Sequence, residues 1–126
     1  VDDDDVDAAI AAALGDLAEH VTIERLLCED ATASSIDTDL YRAIEAALTQ
    51  RYPDASVVPV LFPGGTDLRV ARRRGGIGYG FGAVDSGASL GQVYSQLHAH
   101  DEHIALVDVR ATAEVLHEVA TTYLGA

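Results

Sequence analysis

The sequence predicts an α/β fold, a parallel-containing sheet with helices, on three observations. Residues 56–84 read strand, helix, strand, the order of a crossover unit, so the two strands run parallel with a right-handed connection. Helical patterns precede and follow that unit, near residues 38–50 and 109–124. The composition, 48% apolar and 23% charged over 126 residues, is that of one globular domain or less.

The chain opens VDDDDVDAAIAAAL, with four acids in a row from Asp2 to Asp5. Such a run suits a solvated tail or the first turn of a helix, where the macrodipole is positive. Val6, Ile10 and Leu14 then recur at i, i+4 and i+8. This predicts a helix from about Asp4 to Leu14, stopped by Gly15. His20 to Cys28 (HVTIERLLC) is aliphatic and β-branched and predicts a strand. Glu29 to Ser35 (EDATASS) has the composition of a linker.

Asp37 or Thr38 caps the next predicted helix, which runs to about Gln50 with Leu40, Ile44, Ala47 and Leu48 on one face; Pro53 ends it. Ser56 to Phe62 (SVVPVLF) is a predicted strand, and Pro59 within it favours an edge or a bulge. Pro63 to Asp67 turns into a short helix, Leu68 to Arg74, which Gly75-Gly76 stops. Ile77 to Val84 is the second strand of the unit and Asp85 to Leu97 a polar loop. Asp108 caps a last helix, Val109 to Leu124, with Val109, Ala113, Leu116, Ala120 and Tyr123 expected to face inward.

Several functions are excluded early. Acids outnumber bases 21 to 8, for a net charge of −13, and every base is Arg. Binding to nucleic acid or to an anionic membrane surface rests on an excess of cations, so neither is expected. No stretch approaches the roughly 18 consecutive apolar residues of a membrane span. Nor is there a secretory signal pattern at the start. The single Cys28 excludes an internal disulfide and a zinc site built on cysteines, and points to a reducing, cytoplasmic setting.

Three places carry candidate chemistry. His98-Ala99-His100-Asp101-Glu102-His103 holds three of the five histidines and two carboxylates within six residues. These are ligand types for zinc or manganese, yet the same composition suits a polar surface loop. Gly64-Gly65-Thr66-Asp67-Leu68-Arg69 follows a predicted strand and opens a helix. Its glycines let a ligand approach the backbone, and Arg69 offers a bidentate partner for a carboxylate. The alternative is a tight turn capped by Thr66 or Asp67. The third place, Gly76 to Gly82 (GIGYGFG), lacks the strand–loop–helix context of a dinucleotide fingerprint and is rejected as one. In an open α/β sheet, ligands bind beyond the carboxyl ends of the strands. Both the Gly64–Arg69 turn and the loop leading to His98 would lie there.

The order PGGTDLR, GIGYGFGAV, HAHDEHI and a final helix resembles the C-terminal region of a co-catalytic metallopeptidase family. That family includes aminoacylase, acetylornithine deacetylase, succinyl-diaminopimelate desuccinylase and bacterial glutamate carboxypeptidase. Its turn reads roughly G-[GA]-T-D-x-R and its late motif H-x-x-[DN]-E; both occur here in that order. The resemblance implies that residues 1–29 are the last helix and strand of an inserted α+β lid domain, which in this family serves dimerisation. Residues 30–126 would then be the C-terminal part of the catalytic domain.

It implies His98 as a metal ligand, with Asp101 and Glu102 behind it. Gly64, Gly65, Thr66 and Asp67 form the turn beside the substrate, with Arg69 on the substrate carboxylate. His103 departs from the Arg often found at its position, and His100 falls at a variable one. The implied activity is metal-dependent hydrolysis of amide or peptide bonds in small carboxylate-bearing peptides or N-acyl amino acids.

The family builds its two-zinc site from an upstream H-x-D motif, a bridging Asp and a Glu-Glu pair whose first Glu is the general base. None of these lies in this chain. The chain is therefore expected to be a fragment that lacks its N-terminal partner, holds metal weakly or not at all, and is inactive alone. Apolar surface left uncovered is expected to drive homo-oligomerisation. The rival reading is a complete, non-enzymatic, acidic α/β binding module.

Overall fold

The computed structural model describes residues 3–27, 29–62 and 64–125. Val1, Asp2, Cys28, Pro63 and Ala126 lie outside the described residues, and with them part of the acidic run, the end of the first expected strand and the first residue of the PGGTDLR turn. The described residues form five α-helices: α1 (Asp3–Leu14), α2 (Asp39–Arg51), α3 (Leu68–Arg73), α4 (Leu90–Gln96) and α5 (Leu106–Leu124). A 3₁₀ turn, Gly15–His20, prolongs α1.

The α/β expectation is wrong for this structure. Among the described residues there is no β-strand and no sheet, parallel or otherwise. Residues 77–84 pair with no second strand; at Gly78 and Ala83 side chains meet the backbone instead. The Ser34 hydroxyl accepts from the Gly78 N–H at 3.1 Å, and Arg72 Nη2 donates to the Gly78 carbonyl at 2.6 Å. The Thr112 hydroxyl serves Ala83 in the same way. In 56–62, Pro59 brings no N–H for a ladder. The segment stays exposed, with Val58 at 68% and Leu61 at 87%. The first expected strand is also unpaired; its His20 belongs to the 3₁₀ turn. α1 ends at Leu14, where Gly15 was expected to stop it, and Gly15, at φ +55°, starts the 3₁₀ turn.

The core is the contact of α2 with α5. Ala43, Ile44 and Ala47 of α2 are buried with Ala111, Val115 and Val119 of α5 and with Ala83. Alanines on α2 let the helix axes approach closely, and burial of this apolar surface is the main stabilising term. Leu40, Leu48, Tyr52, Tyr79 and Phe81 close the edges. Thr38 caps α2 by accepting from the Tyr41 N–H at 3.1 Å. Its own hydroxyl lies 2.5 Å from the Tyr79 hydroxyl, which donates to the Ser35 carbonyl. One chain of hydrogen bonds thus fixes the start of α2 to the extended segment.

Two further expectations change. The region read as a polar loop contains α4, opened by a capping box in which Ser89 and Gln92 satisfy each other's backbone N–H. On α5 the buried stripe is Asp108, Ala111, Val115 and Val119. The stripe expected inside (Val109, Ala113, Leu116, Ala120 and Tyr123) is exposed. Of the helices, α1 packs only on its own 3₁₀ continuation.

Candidate functional site

The glycine turn is built around two side chains. A Cβ on Gly64 would overlap the ring of Phe62, so any larger residue there would force that ring to shift. A Cβ on Gly65 would sit 3.3 Å from Arg69 Nη1, which keeps the guanidinium close to the turn. The Thr66 carbonyl accepts from the Arg69 N–H at 3.1 Å and starts α3. Thr66 Oγ1 lies at a long 3.5 Å from the Leu68 N–H, and Asp67 makes no side-chain cap. Arg69 Nε pairs with Glu29 Oε2 at 2.9 Å. The guanidinium expected on a substrate carboxylate is paired here with the chain's own Glu29.

His98 follows α4 directly, with Leu97 as the C-cap. Its φ is +61°, and it is the one described non-glycine residue with positive φ. Glycine takes that left-handed position after a helix without strain; histidine does not. Residues 98–103 form turns rather than an extended run: the Ala99 N–H donates to the Gln96 carbonyl at 3.0 Å and the Glu102 N–H to the Ala99 carbonyl at 3.3 Å. His103 Nδ1 lies 2.6 Å from the Asp101 carbonyl, which places a proton on Nδ1.

The side chains of His98, His100, Asp101 and Glu102 make no hydrogen bond or ion pair among the described residues. No group of three or more His, Cys, Asp or Glu side chains comes together among them. The donor set in hand is thus one imidazole with two unengaged carboxylates, which does not make a two-metal centre. No hydrogen bond or ion pair links His98 to Arg69 either. One contact ties their neighbourhoods: Phe62, beside the turn, stacks on Tyr94 of α4, with ring centroids 5.6 Å apart and planes at 21°.

A second polar cluster has no sequence signature, because its members come from three elements. Arg51, in the last turn of α2, pairs with Asp85 at 2.5 Å and with Glu114 of α5 at 2.9 Å. The Tyr52 hydroxyl donates to Asp85 at 2.5 Å. The Arg51 guanidinium and the Tyr52 hydroxyl together hold the Asp85 carboxyl below the ordinary aspartate range. Burial, with the Asp85 carboxylate adding to it, pushes the Tyr52 phenol up. Beside this cluster, buried Asp108 accepts at 2.7 Å from the Ser86 hydroxyl and from the N–H groups of Asp85 and Ser86. The Ser86 hydroxyl is the main reason its carboxyl lies low, and burial opposes it. Asp108 sits in the first turn of α5, which Ala105 begins, so it fastens the preceding loop to the helix instead of capping the helix itself. The members of this constellation are bonded to one another and to the neighbouring backbone, and it reads as structural.

No helix of the described residues is long and apolar enough to cross a membrane. Comparison with protein-family models, with curated proteins and with solved structures finds no match.

Proposed function

We propose that the chain contributes the carboxylate-binding turn of a metal-dependent hydrolase acting on amide or peptide bonds of small substrates with a free carboxylate. The observation that carries this reading is the Arg69–Glu29 pair at the Gly64–Thr66 turn: a guanidinium set beside a glycine backbone and engaged with a carboxylate. A guanidinium fork recognises carboxylates through paired N–H donors, and glycine leaves room for the rest of the ligand. His98, in its left-handed position, supplies one imidazole; a backbone outlier of this kind is a reason to look for function there. The general base and the other ligands come from outside residues 1–126. The chain by itself is inactive, and its setting is the reducing cytoplasm.

The test is turnover. The full-length protein that contains residues 1–126, supplied with zinc or manganese, is assayed on N-acyl amino acids and dipeptides and on the same compounds with the carboxylate amidated. Hydrolysis confined to the free carboxylates is the expected result, with KM raised in Arg69→Gln. No hydrolysis, or equal hydrolysis of the amides, overturns the reading.

A second reading, a non-enzymatic acidic interaction module, draws on the net charge of −13 and on the exposed apolar residues of 56–62 and α5. It predicts full-length protein without turnover on any of these compounds.

A further inference from the structure

The Arg69–Glu29 pair has a feature that the substrate reading does not use. The two side chains meet at one point, Nε to Oε2, and are 34% and 28% exposed. The terminal nitrogens of Arg69 make no hydrogen bond or ion pair among the described residues. A guanidinium holds a carboxylate best through two parallel bonds, so Glu29 leaves the stronger geometry unused.

The chain just beyond Glu29 is fastened. Three and five residues further on, Thr32 and Ser34 are bound by Arg72, one turn along α3 from Arg69. Arg72 Nε donates to the Ser34 hydroxyl at 3.2 Å and Nη1 to the Thr32 carbonyl at 3.4 Å. The Ser34 hydroxyl in turn accepts from the Gly78 N–H. Residues 29–34 form a strap across α3, fastened at Arg72, with a carboxylate at its end over Arg69. Fastening raises the local concentration of that carboxylate well above that of a free ligand.

We infer that Glu29 is a built-in placeholder: it occupies Arg69 when no ligand is present, and an external carboxylate that can make the bidentate contact displaces it. This rests on the reading of Arg69 as the carboxylate holder and adds a gate to it. The gate lowers apparent affinity by the fraction of time that Glu29 leaves Arg69 free. An ion pair this exposed contributes little, so the effect is roughly fivefold.

N-acetylglycine is titrated into the whole chain and its affinity read from the backbone amide shifts of residues 64–69. Glu29→Gln should tighten binding roughly fivefold. Asp30→Asn removes the same charge one residue along and should change it less than twofold, about the reach of a screened charge. Glu29→Asp, one methylene shorter, should fall between wild type and Glu29→Gln. Arg69→Gln should abolish the shifts in either background. The inference is overturned if Glu29→Gln tightens binding no more than Asp30→Asn does. Shifts that persist in Arg69→Gln, or no shifts in any variant, overturn it as well. Hydrolysis is not read here, so the two proposals fail separately: a tightened Glu29→Gln without turnover by the full-length protein leaves the gate standing, and turnover with unchanged affinity does the reverse.

Discussion

The hydroxyl of Thr112 accepts a hydrogen bond from the Ala83 N–H at 3.0 Å and donates one back to the Ala83 carbonyl at 3.3 Å. A single side chain on α5 therefore meets both polar groups of a buried residue that would otherwise need a neighbouring strand. Buried backbone groups must be satisfied by some partner, and here a helix supplies it.

Thr112→Val keeps the shape of the side chain and removes both bonds. Ala83 is buried, so its N–H and carbonyl would be left unpaired. The expected loss is about 1–3 kcal/mol of stability, the usual cost of an orphaned buried polar group. Urea unfolding checks it: the midpoint should fall at constant slope. Thr112→Ser, which retains the hydroxyl, should lose clearly less. Equal losses in the two variants would place the effect in packing.

The chemistry of residues 77–84 shows why the fold was only partly legible. IGYGFGAV has the apolar content of a strand, and nothing in that run reveals that Ser34, Arg72 and Thr112 take the place of a ladder. Those partners are long-range and become visible only once α2 and α5 are packed. The α2 helix was legible because Thr38, the apolar face and Pro53 agree with one another. On α5 two adjacent stripes are apolar, so periodicity does not choose between them. Ala111, Val115 and Val119 went inside because they suit the small residues Ala43 and Ala47 opposite. At the candidate site, the glycine turn into α3 was legible, and Arg69 stands beside it with a carboxylate partner. Glu29 as that partner was not, because nothing local marks a contact across forty residues.

Stability should fall in acid, and Asp108 should account for part of it. Its carboxyl lies below the ordinary value of 3.8 in the folded chain, chiefly through the Ser86 hydroxyl. A depressed folded value gives stability that is present above the unfolded value and lost as pH drops through the folded one. The window runs from roughly pH 5 downward. Asp85, lowered by Arg51, acts in the same direction. Asp108→Ala should lower the melting temperature at pH 7 by roughly 5 °C. It should also flatten the fall between pH 5 and the acid limit. A variant with an unchanged pH profile would remove Asp108 from the account.

His98 gives a prediction in which stability and function part. Its left-handed backbone suits glycine, so His98→Gly should stabilise the chain by about 1 kcal/mol. In the full-length protein the same change, like His98→Ala, should remove one metal equivalent and nearly all turnover. Glu102→Gln should cost 10–100-fold, as expected for a group behind a ligand. Metal content and rate are measured together. Full metal content with full rate in His98→Gly would reduce the residue to a helix terminator.

Association is the last expectation. The exposed residues of α5 include Leu106 at 85%, Val109, Leu116 at 49% and Tyr123. Positions 109, 113, 116, 120 and 123 share one stripe, roughly a third of a turn round the helix from the buried one. Val58, Val60 and Leu61 add a second exposed apolar run. Against association stands the net charge of −13, which repels a second copy. Burial acts at contact and contributes roughly 25 cal/mol per Å², whereas exposed charges are screened beyond about 8–10 Å in ordinary salt. Burial should therefore prevail and give a dimer at low micromolar concentration in sedimentation. Raising the salt should strengthen it by weakening the repulsion. Leu116→Arg puts a cation in the middle of the stripe and should return the chain to monomer, even though it reduces the net negative charge and so the repulsion. A wild-type monomer across the whole salt range would mean that this stripe is not where copies meet.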